Sequence, residues 1–290
     1  MNYYEVEIGA EKYWKDSVFT YSSESRLTRN HIVIVPFGKR RRIGIVKLAT
    51  KKPDFSTKNI NEHIDLMLPV NTRGFMDWFE KYYAITRGQA ISQFLPNYIS
   101  FNKTNPTSTT KPLELEKLPL LSKEQKRAIK ELSNTDKPSV LHGVTGSGKT
   151  RIYISLILKQ LKKGRSCLLL YPEIALTPQI TQELEQFAPT LVFHSRLTRS
   201  QKSSLWKTVA STDKPYVLIG ARSAIFLPHS NLGLIILDEA HDSSYTQDTN
   251  IRYNGIMAAG GLSKKHKAKL ILGSATPPIN EVELVIKAGG

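Results

Sequence analysis

The stretch Leu141-His-Gly-Val-Thr-Gly-Ser-Gly-Lys-Thr150 is an apolar run that passes directly into the octet GVTGSGKT, which meets the pattern G-x-x-x-x-G-K-[ST] at Gly143, Gly148, Lys149 and Thr150. Few folds can use such a loop. Its backbone N–H groups wrap an anion, its glycines let the backbone approach, and the helix that follows aims its positive end at the phosphates. A strand must come before and a helix after. The octet therefore predicts a βα unit and a bound nucleotide, held by Gly143, Val144, Thr145, Gly146, Ser147, Gly148, Lys149 and Thr150. Lys149 can reach the β- and γ-phosphates, and Thr150 can offer its hydroxyl to Mg2+.

The chain around the octet has the matching rhythm. From residue 121 onward, apolar runs (SVLHG, CLLLYPE, LVFHS, YVLIGA, LGLIILDEA, AKLILGSAT) alternate with helix-length stretches such as RIYISLILKQLKKG and SQKSSLWKTVA. Strands spaced by helices imply βαβ units, hence a parallel sheet with helices on both faces and active residues at the carboxyl ends of its strands. Cys167, the single cysteine, lies inside one of these runs and reads as a buried strand residue; disulfides and a cysteine zinc site within this chain are excluded.

Two further motifs end such strands. LGLIIL runs into Asp238-Glu-Ala-His241. A carboxylate there can hold Mg2+ through water, and the adjacent Glu239 can orient or deprotonate an attacking water, so nucleotide binding becomes hydrolysis. A helix cap would explain Asp238 alone but not the acid pair after a buried strand. LILG runs into Ser274-Ala-Thr276, whose hydroxyls can sense the γ-phosphate, although the segment taken alone is only a strand-to-turn transition. Gln125 precedes the first strand, where a glutamine can hydrogen-bond the edge of adenine. Ser122-x-x-Gln125 is equally a capping box, and both readings stand.

The first hundred residues differ in kind. Short runs (YYEVEI, VFTY, HIVIVPFG, RIGIVKL) separated by polar turns predict a small β-rich domain, followed by RGFMDWFEKYYAITR, whose Phe75, Trp78, Phe79 and Tyr82 recur with helical spacing. These aromatics read as core rather than as a stacking platform. A Thr-, Pro-, Asn- and Lys-rich segment at 102–120 reads as a linker, so the domains are expected at 1–101 and 121–290. Residues 25–53 hold nine Lys or Arg and no acid, with Lys39, Arg40, Arg41 and Arg42 at a hairpin turn. Such a run is either a solvated face or a phosphate-binding one. The formal net charge of +16 points to a polyanionic partner such as nucleic acid, with a membrane surface as the competing explanation. No apolar run of about 18 residues is present to span a bilayer, and the amino terminus lacks the layout of a secretion signal, so a soluble cytoplasmic protein is expected.

The motifs GVTGSGKT, YPEIALTPQ, His194-Ser195, GARSAIFLP, LDEAHDSSYTQ, Arg252-Tyr253 and GSATPP occur in an order and spacing that resemble the primosomal helicases of replication restart, superfamily 2 motors of the DEAH type. VFTY and VPFGKRRRIGIV are similar to the 3′-DNA-binding domain of the same family. The resemblance implies a RecA-like lobe with ATP and Mg2+ at the residues named above and single-stranded DNA near Thr177, Arg222 and Ser223. It places His241, Tyr245, Gln247, Arg252, Tyr253, Ser274 and Thr276 in the coupling between DNA and hydrolysis. Phe19 and Tyr21 would line a pocket for a 3′ DNA end, where the family often has an acid in place of Thr20; their alternate strand positions also fit a plain β core.

The linker is too short for the winged-helix domain usual in that family. The chain stops at Gly290, whereas the family continues into a second RecA-like lobe, a zinc module and a carboxyl-terminal domain, so the resemblance implies an amino-terminal fragment. The function expected is an ATP-dependent 3′-to-5′ DNA helicase or translocase that recognises stalled forks and starts primosome assembly, with single-stranded and forked DNA, primosome proteins and single-strand-binding proteins as partners. A fork-DNA-binding module with little catalysis and another superfamily 2 translocase are the alternatives.

Overall fold

The computed structural model describes residues 1–9, 17–96, 99, 120–144, 146–172, 178–277, 279, 283 and 287. Thr145, Thr177 and the expected linker, apart from Leu120, lie outside these residues. The chain divides into two compact units, one of residues 1–106, 198–211 and 226–230, the other of residues 107–197, 212–225 and 231–290.

The first unit contains β1 (Asn2–Ile8), β2 (Val18–Ser23), β3 (His31–Phe37), β4 (Arg40–Thr50), β5 (Lys58–Asn59) and β6 (Glu62–Met67). They form one sheet in the order β5-β2-β1-β4-β3-β6, antiparallel except for the β2–β5 pair. The β3–β4 hairpin turns through Gly38 and Lys39, and Gly38 takes a φ of +59° there. A core of Tyr4, Val6, Ile8, Val33, Val35 and Val46 lies under this sheet.

Two helices follow, α1 (Val70–Tyr82) and α2 (Arg87–Phe94), where the sequence pattern suggested one. The break has a local cause. Thr86 Oγ1 accepts from Gln89 N and the Gln89 side chain accepts from Thr86 N, so a capping box starts a new helix. As expected, Phe75 and Phe79 are fully buried, whereas Trp78 is half-buried and stacks on the exposed Tyr82.

Glu7 is the anomaly in this core, a carboxylate 4 % exposed on an apolar strand. Arg73 Nη1 meets its Oε2 at 2.6 Å, and Arg87 Nε donates to Oε1 at 3.2 Å. Arg87 also pairs with Asp77 at 2.7 Å and Glu80 at 2.8 Å. The network ties β1 to both helices. Removing the central carboxylate leaves the buried Arg73 with only a 3.4 Å contact to Asp77, while Arg87 keeps Asp77 and Glu80, so Glu7→Gln should destabilise the unit by about 1–3 kcal/mol. Urea unfolding checks this, and a loss within about 0.5 kcal/mol, the range of an ordinary surface change, would contradict it.

The second unit is built around α3 (Lys123–Ser133), β7 (Ser139–His142), α4 (Lys149–Lys162), β8 (Ser166–Leu170), α5 (Pro178–Glu185) and β9 (Thr190–Phe193). After α6 (Arg199–Ser211), which belongs to the first unit, come β10 (Val217–Gly220), β11 (Leu232–Leu237), a short hairpin of β12 (Thr246–Gln247) and β13 (Tyr253–Asn254), α7 (Gly255–His266) and β14 (Lys269–Ser274). The sheet is wholly parallel, in the order β7-β14-β11-β8-β10-β9. Every residue of β8, β10 and β11 is buried. Because side chains alternate between faces, both faces of these central strands are covered, as the unbroken apolar runs require.

Candidate nucleotide and coupling site

The strand order brings the motifs together. β14 lies between β7 and β11, so the octet after β7, the acids after β11 and Ser274 at the end of β14 share one edge of the sheet. Gly148 opens α4 with a φ of +81°, and a Cβ on it would strike the side-chain amide of Gln125. That amide donates to Ser147 O at 3.3 Å while its oxygen accepts from Ser122 N at 2.9 Å. Gln125 therefore closes the capping box of α3 and touches the phosphate loop at once. Val144 is 68 % exposed at the loop tip, and Gly146 takes a φ of +81°. Thr150 is in the first turn of α4.

Lys149 is only 7 % exposed. Its ammonium donates to Gly143 O at 2.8 Å and to Glu239 Oε1 at 3.4 Å. Glu239 holds a left-handed φ of +47°, a conformation that costs a residue other than glycine about 1–2 kcal/mol and has to be maintained by its surroundings. Its other oxygen lies 3.5 Å from His241 Nδ1. His241 Nδ1 is also 2.8 Å from Ser274 Oγ, which accepts from Thr276 N at 3.0 Å. A polar chain thus runs from the acid pair to the end of β14, where His142 Nε2 donates to Ala275 O at 3.0 Å.

Asp238 is buried, and its Oδ1 accepts from the Tyr153 hydroxyl at 2.7 Å. The Tyr245 hydroxyl lies 2.7 Å from Asp238 O and 3.0 Å from Leu170 O, pinning the ends of β11 and β8. Tyr153 and Tyr171 escaped the motif-based reading, since one falls within a helical run and the other at a strand end. Both hydroxyls are pushed far above the ordinary tyrosine range, first by burial and then by the Asp238 charge.

The hairpin after the acids is held by Arg222. Its Nη1 donates to Ser244 O at 2.6 Å and to Thr246 O, its Nη2 donates to Gln247 Oε1 at 3.2 Å, and its guanidinium lies 5.8 Å from the Tyr253 ring centre. Gln247 Nε2 donates to Ile251 O at 3.0 Å, and Arg252 Nε to Asp248 O at 3.2 Å. Tyr245 and Tyr253 are buried, while Ser223 is exposed next to Arg222.

The DNA-binding candidates of the first unit divide by exposure. Lys39, Arg40 and Arg41 are exposed and Arg42 is half-buried; Arg41 pairs with Glu62 at 2.9 Å. Tyr21 is a core residue whose hydroxyl donates to Pro36 O at 3.0 Å, and burial raises its pKa to about 12. Phe19 is half-buried at the edge of that core and meets Phe37 edge-on at 5.2 Å.

A glycine-rich loop at a helix start, with a carboxylate pair at the end of the next parallel strand but one, defines a P-loop nucleotide-binding lobe. The DEAD/DEAH box helicase model matches residues 122–285, more than half of the 290-residue chain, and the chain belongs to that family. A 3′-DNA-binding domain model of the PriA type matches residues 8–96. Replication restart protein PriA of Rickettsia felis is 39 % identical over 86 % of this chain and 39 % of its own length. The protein of the same name from Helicobacter pylori strain J99 is 35 % identical over 93 % of this chain and 42 % of its own. That of Bacillus subtilis is 43 % identical over 57 % and 21 %. The chain thus corresponds to the amino-terminal region of PriA proteins and spans about two fifths of the first two relatives.

The carboxyl of Asp238 titrates above the usual aspartate value of 3.8. Burial is the main cause; the Tyr153 hydrogen bond offsets part of it, the Glu239 charge adds to it and Lys149 offsets it further. The folded chain therefore binds this proton more tightly than the unfolded chain, and the group opposes folding as the pH rises through its raised value. Asp238→Asn should melt at a higher temperature than the parent near pH 7, with the gap closing as the pH falls toward 3.8. Thermal unfolding across this range without nucleotide checks the sign; a parent that is the more stable form near pH 7 would refute it.

Proposed function

We propose that the chain is the amino-terminal part of an ATP-dependent DNA helicase or translocase of replication restart, with residues 1–101 binding DNA and residues 121–290 forming the nucleotide lobe. The observation that carries this is the meeting of Lys149, Asp238 and Glu239 at the carboxyl end of the parallel sheet, tied through Tyr245 to the hairpin held by Arg222. In this reading the octet and Lys149 bind the ATP phosphates, and Gln125 stands beside the loop for adenine. Thr150 and Asp238 supply two hard oxygens, which suits an ion that keeps several waters and takes its remaining ligands from phosphate. Mg2+ bound there would neutralise charge developing on the transferred phosphoryl group. Glu239 orients the attacking water and accepts its proton, and the His241–Ser274–Thr276 chain passes loss of the γ-phosphate to the neighbouring strand.

DNA belongs on the basic hairpin and beside Arg222, Ser223 and Arg252. A single strand seated there would bear on the same hairpin that Tyr245 anchors to Asp238. Phe19 is the half-buried aromatic suited to meet a DNA end, with Tyr21 supporting it from the core. The name shared by the relatives, replication restart protein, supports a role in replication restart; action at forks, movement in the 3′-to-5′ direction, and primosome and single-strand-binding proteins as partners extend that reading. A cytoplasmic setting follows from that role; among the described residues, no helix is long and apolar enough to cross a membrane.

The test is ATP hydrolysis with and without single-stranded DNA at several salt concentrations. DNA should accelerate hydrolysis, and Glu239→Gln should lower the rate roughly 10²–10⁴-fold while nucleotide still binds. Neutralising Lys39, Arg40, Arg41 and Arg42 should weaken the DNA effect and flatten its salt dependence by roughly 0.7–0.9 for each phosphate no longer neutralised. Hydrolysis indifferent to both DNA and Glu239→Gln would defeat the proposal.

A further inference from the structure

Asp238 is held in place from two sides. Tyr245 fixes its main-chain carbonyl at 2.7 Å, and the Tyr153 hydroxyl donates to its carboxylate, also at 2.7 Å. Tyr153 follows Lys149 by four residues on α4, which puts both on one face of the helix. The turn that presents an ammonium to phosphate also presents a hydroxyl to the carboxylate. Tyr153 is fully buried, so its ring has little freedom to swing away.

Space for that hydroxyl exists only because residue 273 has no side chain. A Cβ on Gly273 would overlap the Tyr153 hydroxyl and stand 3.0 Å from Asp238 Oδ1. Gly273 lies inside β14 and is not among the glycines with positive φ. The backbone would accept an L-residue; the neighbouring hydroxyl would not. Tyr153, Asp238 and Gly273 thus form one interlocked set across α4, β11 and β14.

We propose that Tyr153 is a positioning residue for the magnesium-binding carboxylate, and that Gly273 is the position that permits it. By committing Asp238 Oδ1 to a fixed donor, Tyr153 sets the orientation in which the carboxylate meets the metal and its waters, much as outer-shell partners orient metal ligands elsewhere. The hydroxyl tunes the hold on Mg2+ and leaves the hold on phosphate to the loop and Lys149. The inference rests on the reading of Lys149, Thr150 and Asp238 as the site of Mg2+ and nucleotide.

The experiment measures binding of a fluorescent ATP analogue to the 290-residue chain, in chelator and across a Mg2+ titration. The parent is compared with Tyr153→Phe, Gly273→Ala and the double variant. Tyr153→Phe should raise the Mg2+ concentration needed for half-maximal tightening roughly tenfold or more, with affinity in chelator within about twofold of the parent. Gly273→Ala should raise the Mg2+ requirement likewise, because its methyl displaces the hydroxyl. The double variant should be no worse than either single change, and it should melt above Gly273→Ala, since phenylalanine lacks the atom that the methyl strikes. An unchanged Mg2+ requirement in Tyr153→Phe, or losses that simply add in the double variant, would overturn the inference and leave the nucleotide site standing. A parent chain with no Mg2+-dependent binding would sink both.

Discussion

The second unit depends on placing a buried lysine ammonium, a buried carboxylate and a half-buried one at the end of a sheet that is otherwise apolar. An unpaired charge in such a place is prohibitively unfavourable, so each must find opposite charge or a hydrogen-bond partner. Lys149 finds Gly143 O and Glu239, while Asp238 finds Tyr153. None of these pairings is local in sequence except the first. They exist because β14 pairs with β7 on one side and β11 on the other, bringing residues some 90 positions apart within hydrogen-bond reach. The parallel sheet is thus the means by which the charges become tolerable, and the polar cluster is the reason this end of the sheet differs from its middle. Bound phosphate would add counter-charge for Lys149 and a partner for the exposed loop.

The same edge carries the connection away from the nucleotide loop. Tyr245 reaches the carbonyls ending β8 and β11, and Arg222, at the end of β10, gathers the carbonyls and side chains of the hairpin that follows. A displacement at Asp238 would therefore be felt by the backbone from Ser243 to Asn254 through direct hydrogen bonds. What the geometry supplies is a contiguous path; a change in hydrolysis on DNA binding is the coupling it would have to transmit.

Much of this was legible in the sequence. The apolar runs marked the strands because a central parallel strand is covered on both faces, and the three strand-end motifs all fall at the carboxyl end of the sheet, as expected of such a fold. The strand order was hidden, since nothing in LILGSAT says that the last strand slips between the first and the fifth. Tyr153 was hidden for a related reason. Within RIYISLILKQL it is one more large residue on a helix, and only the missing side chain at Gly273 reveals what its hydroxyl is for. Gln125 shows the opposite limit: the sequence offers capping or adenine contact, and the structure shows the cap made by the amide oxygen together with a contact from its nitrogen to the phosphate loop that the sequence did not suggest. Likewise, alternation put Phe19 and Tyr21 on one face but could not separate the buried Tyr21 from the half-buried Phe19. Trp206 and Phe226 carry no sign of the unit they join, yet Trp206 Nε1 donates to Phe94 O at 2.9 Å and the Phe226 ring packs 5.0 Å from that of Phe79.

In the proposed reading, the carboxyl end of the parallel sheet holds the nucleotide, through a loop and a carboxylate pair that act as a unit. Hydrogen exchange of the whole chain, with and without Mg2+ and ATP, addresses it most directly because it reports where backbone amides become protected. Slowed exchange is expected in three separate segments, around residues 143–150, 238–241 and 273–276, with the first unit little changed. Protection confined to the first unit, or absent from the segments after β11 and β14, would contradict it.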